Sequence, residues 1–289
     1  MKYDREGFVA AVDGTRLFYG IAGSGPAIVL NDGIGCDGFA WTYLLPQLAR
    51  KHTVLHWHYR GHGRSGEPKD SSRIKVVDLA SDLVGLLDQL SLRPVVAIGH
   101  SMGTQIALEL VRLAPKRVSG LVLCCGSYGR VTHTFHGSDM LSNILPRIIA
   151  GVQRYRGVAR GIWGRLPSGI AWRIAKLSGE VDTLAIREED FRKYLDHVAL
   201  MDPDLFLAML QEAGEHSAED LLPTLSVPTL VIAAEKDTFT PRALAERMAQ
   251  TIPGAEIMVL KGASHAAPVE QPAAIAERIE QFLAAHNVG

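Results

Sequence analysis

The segment Gly99-His100-Ser101-Met102-Gly103 sets a serine between two glycines in the pattern G-x-S-x-G. The apolar run Pro94-Val95-Val96-Ala97-Ile98 before it reads as a buried strand, and Thr104-Gln105-Ile106-Ala107-Leu108-Glu109-Leu110-Val111 after it reads as a helix. A serine at such a strand-to-helix turn sits in a strained backbone. Gly99 and Gly103 remove side chains that would collide where the chain doubles back. The hydroxyl then points out of the sheet beside a helix N-terminus, where free N–H groups and the helix dipole favour negative charge. A serine hydroxyl is a poor nucleophile at neutral pH and needs a base in hydrogen-bond reach. The pattern therefore predicts nucleophilic chemistry at Ser101, completed by a base from elsewhere in the chain.

The elements that must position this serine recur along the whole chain. Residues 8–12 and 17–21 read as two strands around the turn Asp13-Gly14. Further short apolar runs occupy 27–30, 53–57, 94–99, 120–125, 229–234 and 256–260, and helical spacing marks 74–90, 102–113, 241–250 and 272–285. Strands alternating with helices predict a mostly parallel sheet covered on both faces. Residues 128–222 carry helical segments and no convincing strand, so they read as a helical cap inserted into a core made of 1–127 and 223–289.

Composition narrows the function classes. In 289 residues, 30 basic side chains face 31 acidic ones, and a net charge of −1 gives no global argument for a nucleic-acid partner. The three cysteines, Cys36, Cys124 and Cys125, match no zinc spacing. Cys124 and Cys125 lie in an apolar run and read as buried strand residues, which suits a reducing cytosol. The charged start Met1-Lys2-Tyr3-Asp4-Arg5-Glu6 carries no apolar stretch behind it, so no signal peptide is expected, and no run of about 18 apolar residues predicts a transmembrane helix. A cytoplasmic location is the expectation.

With its strand before and its helix after, the serine motif resembles that of the α/β-hydrolase superfamily, and the resemblance covers the chain outside residues 128–222. Three further segments carry it: His58-Tyr59-Arg60-Gly61-His62-Gly63-Arg64-Ser65, Glu235-Lys236-Asp237 with Pro241 after it, and Gly262-Ala263-Ser264-His265 followed by Glu270 and Pro272. The resemblance implies an α/β-hydrolase fold with a mostly parallel eight-stranded sheet, helices on both faces and the inserted cap. It also implies a catalytic triad of Ser101, His265 as general base and Asp237 as the acid that orients it, in the chain order this fold uses. Histidine suits the role because its unperturbed pKa is about 6.5. Glu235 is the nearby rival to Asp237. The place after the strand before the cap, used by some relatives for the acid, holds Cys125-Gly126-Ser127 and no carboxylate.

Two backbone N–H groups are expected to form the oxyanion hole: Met102, after the nucleophile, and by resemblance Ile34 in Asp32-Gly33-Ile34-Gly35. Gly33, Gly99, His100 and Gly103 are supporting residues. This loop departs from the family, because Asp32 stands where a histidine usually precedes the glycine. A carboxylate about 7 Å from a developing oxyanion would repel it by roughly 2 kcal/mol. Asp32 is therefore expected to face away, paired with Arg60 or a protonated His58. Cys36 reads as a small packing residue. His52, His56, His58 and His62 are candidates to line the pocket, and His133, His136, His197 and His216 fall in the cap.

Within the cap, residues 140–179 hold Arg147, Arg154, Arg156, Arg160, Arg165, Arg173 and Lys176 and no acid, interleaved with apolar residues. The favoured reading is cap helices with arginines in water and apolar faces on the core. The less favoured one is a lid that recruits anionic or amphiphilic substrates or touches a membrane surface. Gly151, Gly157, Gly161 and Gly164 argue against one rigid helix. No cofactor and no metal is expected. The implied function is a serine hydrolase of carboxylic esters with apolar or amphiphilic acyl groups, working through an acyl-enzyme on Ser101. A lactonase or a hydrolase of C–C bonds in β-diketone-type substrates would use the same triad. A small-molecule receptor with slow turnover is the reading from another class.

Overall fold

The computed structural model describes residues 1–92, 94–133, 139–163 and 186–288. Its centre is one eight-stranded sheet: β1 Arg5–Ala10, β2 Arg16–Ala22, β3 Ala27–Asn31, β4 Thr53–Trp57, β5 Val95–His100, β6 Val118–Cys124, β7 Thr229–Ala234 and β8 Glu256–Leu260. The spatial order is β1-β2-β4-β3-β5-β6-β7-β8. β1–β2 and β2–β4 pair antiparallel, and every other pair is parallel. This is the eight-stranded, mostly parallel α/β-hydrolase sheet the sequence led us to expect.

The central strands are apolar runs because both of their faces are covered. Every residue of β5 and β7 is buried. One face packs against α1 (Val76–Gln89), α2 (Met102–Leu113) and α7 (Arg242–Thr251), through Leu83, Ile106 and Met248. The other packs against α8 (Pro272–His286) and the turns around Trp41, through Ile279, Phe282 and Leu45. Between β6 and β7 lie the helices α3 (Met140–Arg154), α4 (Arg156–Ile162), α5 (Glu188–Leu200) and α6 (Pro203–Glu215). The ends of this insertion are stitched together where it leaves the sheet: Arg130 N–H donates to His216 O (2.9 Å) and Ala218 N–H to Tyr128 O (2.8 Å).

Chain order and strand order together make a crevice. From β3 the chain moves outward to β4, then crosses back over β3 to β5. The loops after β3 and β5 therefore part in opposite directions at the C-terminal edge, the position where open α/β sheets bind ligands.

Candidate active site

Ser101 follows β5 at that crevice with φ 55° and ψ −121°, outside the ordinary regions for an L-residue. Steric crowding explains why glycines flank it. A Cβ on Gly99 would lie 2.3 Å from the carbonyl oxygen of Gly103, and one on Gly103 would lie 2.1 Å from that of Asn31. The bend closes backbone against backbone, and α2 starts at the next residue.

Three side chains from three separate loops meet there. His265 Nε2 lies 3.1 Å from Ser101 Oγ, and His265 Nδ1 lies 2.9 Å from Asp237 Oδ2. Asp237 is buried and accepts further bonds from Phe239 N–H (2.9 Å), Thr240 N–H (2.8 Å) and Thr240 Oγ1 (2.8 Å). Burial pushes its carboxyl up, but the electrostatic pull of His265 and the hydrogen bonds from His265 and Thr240 outweigh burial and hold it below its ordinary value. Glu235, the rival acid, instead accepts Gly262 N–H (2.8 Å) at the surface. The loop that carries His265 is tied by Glu270, which accepts Ser264 N–H (2.7 Å) and Ser264 Oγ (2.5 Å). His100 Nε2–H donates to His265 O (2.9 Å), and burial pushes the His100 imidazole down to about 3, so the ring is neutral.

The loop after β3 runs alongside. A Cβ on Gly33 would lie 3.1 Å from Ser101 Cβ, a tight contact, so glycine here eases the close approach of this backbone to the serine. Among the described residues the N–H groups of Ile34 and Met102 have no hydrogen-bond acceptor. Two apolar cavities, of about 140 and 190 Å³, share Ile34, Ser101, Tyr194 and Phe239. The first extends past Phe39, Cys36 and Phe191 to His265, and the second past Met102 and Leu141 to Leu210. Helices of the insertion thus form one wall of each.

Comparison with known proteins agrees with the fold. Residues 28–278 match the alpha/beta hydrolase family. The chain belongs to the alpha/beta hydrolase family. Among curated relatives, a protein of Azorhizobium caulinodans named "Putative carbamate hydrolase RutD" is 28% identical over 92% of this chain and 94% of its own. Among solved structures, a hydrolase from Pseudomonas aeruginosa PA01 superposes with a TM-score of 0.75 at 26% identity, covering 98% of this chain and 99% of that one. Est816, described as an N-acyl homoserine lactone degrading enzyme, gives a TM-score of 0.76 at 26% identity, covering 96% and 100%.

In this α/β-hydrolase the partner of Asp32 differs from the expectation. Arg60 is fully buried but engages Asp82 with Nε (2.8 Å) and Nη2 (2.7 Å), and Asp13 with Nη1 (2.9 Å). His58 accepts Arg64 N–H on Nδ1 (2.8 Å). Asp32 is held by His56, whose Nε2 lies 2.7 Å from Oδ2, while His56 Nδ1 meets Tyr3 OH at 2.7 Å. The cause is strand register: parallel pairing sets His56 across from Leu30, directly beneath the loop that starts at Asp32. Burial pushes the Asp32 carboxyl up against the pull of His56. Removing His56 would strand a buried carboxyl, so His56→Ala should cost about 3 kcal/mol of folding free energy, read by urea unfolding at pH 7. An unchanged midpoint would contradict the pairing.

None of His52, His56, His58 and His62 lines either cavity, so their expected pocket role is corrected: all four are buried and hold loops or strands. Cys36 is buried at the cavity edge, and burial pushes its thiol well up, as suits a packing residue. Sequence reading passed over Thr240, Phe239 and Tyr194. A threonine three residues beyond a candidate acid is an available hydrogen-bond signal, whereas no local pattern marks the other two.

In the insertion, Arg156 pairs with Asp204 (3.1 Å) and Arg160 with Asp202. The helical stretch breaks at Tyr155, between α3 and α4. Leu145 is buried, but Ile144, Ile148, Val158 and Ile162 are exposed, so the expected apolar burial on the core holds only in part. His136, Gly164, Arg165, Arg173 and Lys176 lie outside the described residues. Among the described residues no helix is long and apolar enough to cross a membrane.

Proposed function

We propose that the chain is a serine hydrolase of small, largely apolar carboxylic esters. The observation that carries this reading is the Ser101–His265–Asp237 relay, with bonds of 3.1 and 2.9 Å at one rim. Ser101 Oγ attacks the ester carbonyl while His265 takes its proton, and Asp237 stabilises the imidazolium. The oxyanion accepts hydrogen bonds from the N–H groups of Ile34 and Met102. Collapse returns the proton to the departing alkoxide and leaves an acyl group on Ser101. Water, deprotonated by His265, then releases the acid. Residues 128–222 act as the cap that walls the two cavities, and residues 1–127 and 223–289 form the core. The two cavities meeting at Ser101 would take the acyl and alkoxy parts.

A lactone is the second reading, favoured by the similarity to Est816. A panel of nitrophenyl esters from acetate to palmitate, with an acyl-homoserine lactone alongside, tests both. A nitrophenol burst equal to the enzyme concentration and turnover highest for short chains are expected. Labelling by a fluorophosphonate without turnover of any ester or lactone would favour a receptor, or a C–C bond hydrolase if a β-diketone is cleaved instead.

A further inference from the structure

The amide between Gly33 and Ile34 carries the proposed oxyanion donor, and the loop around it is gripped from both sides by groups outside the triad. On the N-terminal side, Tyr59 OH donates to Asp32 O (2.7 Å). On the C-terminal side the grip falls on Gly35, which has φ +70°. A Cβ there would come within 3.0 Å of Val198 and 3.1 Å of Phe206, so a side chain at this position would crowd the insertion. Only its backbone can be held, and two histidines hold it.

His62, in the loop after β4, sits with Nδ1 3.1 Å from Arg60 O, and its Nε2 accepts Gly35 N–H at 3.1 Å. His197, on α5 of the insertion, sits with Nδ1 2.8 Å from Gly35 O, and its Nε2 accepts Gly63 N–H at 2.7 Å. Each ring therefore donates from Nδ1 and accepts on Nε2, which sets its tautomer and leaves it neutral, since a protonated ring has no lone pair for an N–H. Both rings are buried. One residue is thus held at its N–H by the core and at its carbonyl by the insertion.

We propose that His62 and His197 are positioning residues that clamp Gly35 and so aim the Ile34 N–H at the oxyanion, with His197 tying that aim to the docking of α5. The inference rests on the serine-hydrolase reading above. Docked, α5 completes the clamp; displaced, it releases the Gly35 carbonyl and loosens the donor.

Isosteric substitutions separate the two roles of each ring. Glutamine places an acceptor near the Nε2 position, and asparagine places a donor near Nδ1. His62→Gln and His197→Asn keep the bond to Gly35, whereas His62→Asn and His197→Gln lose it. With nitrophenyl acetate, the two variants that lose it should drop kcat roughly 10-fold or more with little change in KM, and the two that keep it should stay within about threefold of wild type. The rate of fluorophosphonate labelling should follow the same order, because the phosphonate oxygen occupies the same hole. Melting temperatures of all four are recorded alongside. If kcat follows melting temperature alone, or the order within either pair reverses, the clamp is overturned. Should a His62 variant fail to fold, the His197 pair carries the same test. Turnover that survives Ser101→Ala would instead overturn the catalytic reading, whereas turnover that needs Ser101 but ignores the isostere order overturns the clamp alone.

Discussion

Replacing Ser101 with alanine should lower kcat/KM for nitrophenyl acetate by about 10⁴ or more, the scale seen when a triad nucleophile is lost. The hydroxyl lies 3.1 Å from Nε2 of the base, and alanine removes the proton that the imidazole would take. His265→Ala should cost a similar factor, and the double variant should be no worse than either single one, because the residues act as a unit. Asp237→Asn should cost about 10⁴, since an amide favours the wrong imidazole tautomer. Folding should survive in Ser101→Ala, because alanine fits the space and relieves none of the surrounding packing. Circular dichroism and a melting curve check that. An Ser101→Ala protein with more than a tenth of wild-type activity would refute the assignment of the nucleophile.

Acid should unfold this protein steeply, and the cause lies in buried neutral histidines. Burial pushes His62 down to about 4, His100 to about 3 and His58 to about 2. In the unfolded chain each imidazole titrates near 6.5. Between these values the unfolded state binds protons that the folded state refuses, so stability is present above about pH 6.5 and is lost as pH falls. With three such groups the slope reaches about 4 kcal/mol per pH unit between roughly pH 6 and 4. Summed down to pH 4, that loss is comparable with a typical total of about 5–15 kcal/mol, so the fold should be strongly weakened in this range. Urea unfolding at pH 7, 6 and 5 measures the slope. A stability unchanged from pH 7 to 5 would mean that these rings are protonated in the folded protein.

Much of the nucleophile's setting was legible because it is local. Gly99, Ser101 and Gly103 are dictated by close backbone approach at one bend, and the flanking strand and helix announce themselves by apolar spacing. The order of serine, acid and histidine came from the resemblance of three short segments to the family, each lying past a predicted strand. The Asp32 partner was not legible in the same way. Arg60 and His58 share a loop with the expected motif, but the answer turned on which residue of β4 faces Leu30 across the sheet.

His197 shows the limit more sharply. It lies 162 residues from Gly35, on a helix whose sequence marks it only as one cap histidine among several. By itself the sequence determined the alternation of strands and helices and the glycine-flanked elbow, because burial periodicity and steric need for glycine act over a few residues, while the α/β-hydrolase fold and the candidate triad came from the resemblance of its short motifs to the family. Only the tertiary structure decided that His56 meets Asp32 and that two histidines meet on Gly35. A hydrogen bond forms or fails over less than an ångström, and that closeness is set by how separate elements dock rather than by any pattern within one of them.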